Sequence, residues 1–110
     1  MVLMNLVTLA DFAHARAGDK GNILSIAVFP HDAAHYAWLL QTLTCERVAE
    51  QFATRQPSTV HRYELPNLNA LNFVLEDALE GGVNRSCGLD RHGKSLSYLL
   101  LALRLPGPAD

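Results

Sequence analysis

A chain of 110 residues that is 49% hydrophobic and 18% charged has enough apolar surface for one core and too little for two, which argues against disorder and against a multidomain layout. Its formal net charge is −2, and its Lys and Arg residues are scattered, so the basic stripe of a nucleic-acid binder is missing. The longest apolar run, Tyr98 to Leu103, falls far short of the roughly 20 residues that cross a bilayer, and no basic signal region opens the chain; the expectation is a cytoplasmic protein without membrane contact.

Leu6 to Ala17 and Asn22 to Phe29 read as two strands joined by the loop Gly18-Asp19-Lys20-Gly21, since glycines supply the backbone freedom of a tight connection. Along the second strand Leu24, Ile26 and Val28 share one face and Ile23, Ser25 and Ala27 the other, and two apolar faces mark a central strand. Asp32 is an expected N-cap for a helix through Tyr36, Trp38, Leu39, Leu40 and Leu43, and Thr44 for a second helix carrying Val48 and Phe52. Thr59 to Leu65 alternates as a third strand.

Asn67 then caps a predicted amphipathic helix with Leu68, Leu71, Leu75, Ala78 and Leu79 as its apolar stripe, stopped by Gly81-Gly82. Val83 to Leu89 is expected as a fourth strand, Asp90 to Gly93 as a turn, and Ser95 to Leu103 as a last helix. The order β-β-α-β-α-β-α predicts an α+β two-layer sandwich of ferredoxin-like type, a four-stranded sheet with helices on one face. Residues 1–105 form the expected single domain and 106–110 a frayed tail. If Ala13, Ala15 and Ala17 face inward, then Phe12, His14 and Arg16 line the open face with His61 and Tyr63, a surface expected to carry a homo-oligomer contact.

The stretch Ala15-Arg16-Ala17-Gly18-Asp19-Lys20-Gly21-Asn22 has neither P-loop nor GxGxxG spacing. It reads either as a solvated hairpin turn or as an anion site in which Arg16, Lys20 and turn N–H groups hold a carboxylate or pyrophosphate. His31 and His35 have HxxxH spacing, but an N-cap at Asp32 puts His31 outside the helix, so no metal site is expected. His14, beside Arg16, is the candidate general base. Cys45 and Cys87 lack CxxC spacing and read as reduced, structural thiols. Asn69, Asn72 and Glu76 read as a solvated helix face, and Arg85 as a possible second charge for the anion site.

The blocks His14-Ala15-Arg16-Ala17-Gly18-Asp19-Lys20-Gly21-Asn22, Arg62-Tyr63-Glu64-Leu65-Pro66-Asn67-Leu68, Ala70-Leu71-Asn72-Phe73-Val74-Leu75, and Gly81-Gly82-Val83 with Asp90 and Gly93-Lys94 together resemble the ferredoxin-like C-terminal domain of the AtuA family, which is associated with acyclic terpene utilisation. The resemblance implies a bacterial, cytoplasmic protein tied to the catabolism of terpenoid or branched-chain acids as acyl-CoA thioesters, in a form free of the large N-terminal domain of longer relatives. Ala17 stands where the family pattern has Ser, and Cys87 where it has Leu. The expectation is an accessory or ligand-binding domain, with Arg16, Asp19, Lys20, Gly21 and Asn22 as the polar site. A CoA thioester is its possible ligand, no resident cofactor is expected, and a larger AtuA-type protein or an acyl-CoA carboxylase is its possible partner. The alternative is a small enzyme of lyase or hydratase type with His14 as base and Arg16 and Lys20 holding negative charge.

Overall fold

Alanines alternate with polar residues from Ala13 to Ala17, and the backbone follows that pattern into a long hairpin. In chain order the computed structural model runs β1 (Leu6–Thr8), β2 (Ala13–Lys20), β3 (Ile23–Pro30), α1 (Tyr36–Thr42), α2 (Cys45–Gln51), β4 (Thr59–Leu65), β5 (Ala70–Glu76), α3 (Lys94–Leu101) and β6 (Arg104–Pro106); it describes residues 5–77 and 94–108. The main sheet is antiparallel in the order β2-β3-β5-β4, and β1 pairs with β6 in a small second sheet.

The hairpin turn is tighter than expected. Lys20 pairs with Ile23, so Gly18, Asp19 and Lys20 belong to β2 and the turn is Gly21-Asn22 alone. Gly21 has φ 64°, the positive value that II′-type hairpin turns demand at their first central residue and that glycine adopts without strain. The single strand expected over Leu6 to Ala17 is likewise broken by a 3-10 turn at Leu9–Asp11, after which Phe12 has ψ −10°. That bend takes Phe12 off the open face and packs its ring on Trp38, centroids 5.0 Å apart.

The helix expected from Asn67 is also replaced. Pro66–Leu68 makes one 3-10 turn, Asn69 takes a left-handed conformation, and Ala70–Glu76 runs as β5, paired on both sides. A central strand alternating Leu71, Phe73 and Leu75 inward satisfies burial as well as the helical stripe does, and it gives β3 and β4 the backbone partners they need. Asn69, Asn72 and Glu76 therefore share no helix face. The expected helix end, strand Val83 to Leu89 and turn 90–93, with Arg85 and Cys87, lie outside the described residues.

Thr44 does cap α2, its hydroxyl accepting from the Arg47 N–H at 3.2 Å. Asp32 caps a 3-10 turn instead, accepting from Ala34 N–H at 2.9 Å, and α1 begins at Tyr36. The inward residues Leu24, Ile26, Val28, Leu71, Phe73 and Leu75 join Leu39, Leu43, Val48, Phe52, Leu96 and Leu100 in one buried cluster, each side chain contributing roughly 1.5–3 kcal/mol by its burial. The helices thus lie on one face of the sheet. Arg62, inward on β4, donates to the carbonyls of Leu40 (2.8 Å) and Leu43 (3.1 Å) at the end of α1, satisfying acceptors that the helix leaves unpaired. Pro106 closes β6 and accepts from the Trp38 indole at 2.8 Å, and Gly107 N–H bonds the Asn5 carbonyl.

Candidate functional site

Opposed residues of antiparallel strands point to the same side, so the register lays out the helix-free face row by row. Arg16, Ala27, Asn72 and Tyr63 form one row, and Gly18, Ser25, Val74 and His61 the next. Lys20, Ile23, Glu76 and Thr59 form the row nearest the turn, and His14 lies opposite Phe29 at the other end. Ser25 and Asn72 bind each other in the middle, the Ser25 hydroxyl donating to Oδ1 at 3.3 Å and Asn72 Nδ2 to Oγ at 3.2 Å.

The expected inward set, Ala13, Ala15 and Ala17, does face the core. His14, Arg16 and Lys20 are exposed on the opposite side, but successive same-face residues of a strand are about 7 Å apart, so His14 and Lys20 are separated by about 20 Å. Asp19 points inward opposite Leu24, and Gly21 and Asn22 stand exposed in the turn. Of the six candidate residues, His14, Arg16 and Lys20 therefore form a line along one face of β2, while Asp19 lies on the other face and Gly21 and Asn22 in the turn, and no single cradle results.

Two features gather around that line. Ala15, Arg16 and Ala17 form one wall of an open cleft of about 340 Å³, with Ser97 and Tyr98 of α3 as the other, a volume within the range of small-ligand sites. Tyr98 is 72% exposed and Ser97 is buried. Among the described residues Arg16 and Lys20 make no ion pair, so the charges of both are available to a carboxylate or phosphate. The second feature is a ring stack. His14 lies on Phe29, centroids 5.2 Å apart at 16°, and on His31, 5.7 Å apart at 19°. The sequence pattern points to neither feature: Tyr98 reaches β2 only through the packing of α3, and a loop at Gly18–Gly21 sets His14 opposite Ser25 rather than Phe29. Among the described residues no group of three or more His, Cys, Asp or Glu side chains is arranged to hold a metal ion, and His35 packs edge-on against Phe12.

An antiparallel sheet carrying helices on one side, with polar residues strung along the other, defines an α+β two-layer domain of ferredoxin-like type. A family model described as the AtuA ferredoxin-like domain matches residues 7–106, nearly the whole chain, and the protein belongs to that family. No curated protein and no solved structure matches the chain. No helix among the described residues is long and apolar enough to cross a membrane.

Proposed function

We propose that this domain is a cytoplasmic accessory module of acyclic-terpene or branched-chain acid catabolism that binds an acyl-CoA thioester at the β2 edge of its sheet. The observation that carries the reading is Arg16, which makes no ion pair among the described residues, in the lining of a cleft shared with Ala15, Ala17, Ser97 and Tyr98. A cation beside a lining that mixes polar and apolar groups suits a ligand that is charged at one end and hydrocarbon at the other. The far half of the open face, with Tyr63 51% and Leu65 37% exposed, is the surface for a second copy of the chain or a larger partner protein.

Thermal denaturation against increasing concentrations of a branched acyl-CoA tests the reading. A ligand that binds only the folded state at 100 times its Kd adds about 2.7 kcal/mol of stability, so a saturable rise in Tm is expected, and Arg16→Ala should abolish it. No rise in the wild-type protein, together with no protein co-purifying with it, contradicts the proposal.

A further inference from the structure

We infer that the Phe29–His14–His31 ring stack is a platform for a purine base, so that the ligand's adenosine phosphate end lies along β2 with its base on the rings and its phosphates at Arg16. The inference rests on the proposed ligand site and names the part of the ligand that the stack recognises.

Three flat rings lie nearly parallel, within 19° of one another in each adjacent pair, and His14 and His31 are both exposed. A nucleobase that adds to the end of such a stack is held through its π face, without needing its hydrogen-bonding edge. The stack exists because His31 continues the β2–β3 register past the end of the sheet: its N–H donates to the Phe12 carbonyl at 2.8 Å, which sets its ring beside His14. Arg16 follows His14 on the same face at about 7 Å, an interval that one ribose bridges between a base and its phosphate. Beyond it Gly18 leaves open space above the backbone, with nothing within 4 Å of where a Cβ would stand, and Lys20 extends the positive charge toward the turn. Ring stack, guanidinium, bare backbone and ammonium thus form a track along one strand that is complementary to a base followed by phosphates. Free adenine nucleotides and the nucleotide end of a CoA thioester share this chemistry.

The test is isothermal titration of the full chain with ADP, with adenosine 3′,5′-bisphosphate and with an acyl-pantetheine, accompanied by proton NMR of the adenine ring. The bisphosphate should bind the wild-type protein with upfield shifts of the adenine H2 and H8 resonances. His31→Ala should weaken it at least about fivefold, His31→Phe should retain it, and neither change should alter acyl-pantetheine binding. Bisphosphate binding stronger than that of ADP assigns the site to the CoA end, and equal binding assigns it to adenine nucleotides generally; either outcome supports the platform. Acyl-pantetheine binding without any bisphosphate binding overturns the platform while leaving the proposed function standing. So does bisphosphate binding that is unchanged in both His31→Ala and His14→Ala. If no compound binds, both readings fall.

Discussion

Arg62 and Thr59, on opposite faces of β4, show opposite fortunes of a polar atom withdrawn from solvent. The Arg62 side chain is 20% exposed and bonded to two carbonyls at the end of α1 and to Glu64 at 3.0 Å. Removing it leaves those carbonyls without their donor, and hydrogen bonds to a charged group contribute about 1.5–3 kcal/mol; Arg62→Leu is expected to lower stability by about 2 kcal/mol in urea denaturation. The exposed Glu64 partner adds little, because solvent screens such a pair. The Thr59 hydroxyl oxygen is buried and has no hydrogen-bond partner. Thr59→Val keeps the shape and the β-branched preference while removing the unsatisfied group, and should raise stability by about 1 kcal/mol in the same assay. Neither residue's fate was legible in the sequence. Alternation assigns Arg62 to the inner side of β4, but only the tertiary fold brings the end of α1 over it.

At the scale of elements, the hairpin shows what a strand pattern can and cannot reveal. Placing the loop at Gly18–Gly21 pairs Ala17 with Asn22, whereas the structure pairs Ala17 with Ile26, a shift of four residues along β3. An even shift preserves the alternation of faces, so a loop at Gly18–Gly21 still leaves Ala13, Ala15 and Ala17 inward while giving every residue of β2 a different cross-strand neighbour. That is why the open face was legible and the ring stack upon it was not. The two glycines should therefore respond differently. Gly21 needs its positive φ, and Gly21→Ala is expected to cost about 1 kcal/mol; Gly18, in open space within a strand and without a positive φ, should accept alanine with no loss, the comparison being made by thermal denaturation. The β5 segment was misread for another reason. Leu71 and Leu75 fall at helical spacing as well as on one side of a strand, and the choice was decided by the free edges of β3 and β4, which periodicity within the segment does not report.

For the whole molecule, the division into a helix-covered face and an open one follows from composition and alternation, and the family match runs over residues 7–106. The side contacts are where sequence reading stopped. Tyr98 meets the β2 edge only because α3 packs there, across a cleft whose walls lie about eighty positions apart in the chain. The exposed apolar residues Tyr63, Leu65 and Leu68 lie away from Arg16, at the β4 side and the turn beyond it. Self-association through that surface is therefore expected to survive Arg16→Ala and to weaken in Tyr63→Asp, as read by sedimentation velocity over a range of concentrations. The proposed ligand site is the β2 edge. The most direct measurement is amide chemical-shift mapping of the labelled protein titrated with a branched acyl-CoA. Saturable shifts are expected at His14 to Gly18, Phe29, His31, Ser97 and Tyr98, with α2 and β4 unmoved; shifts confined to α2 and β4, or none at all, would contradict a ligand site at the β2 edge.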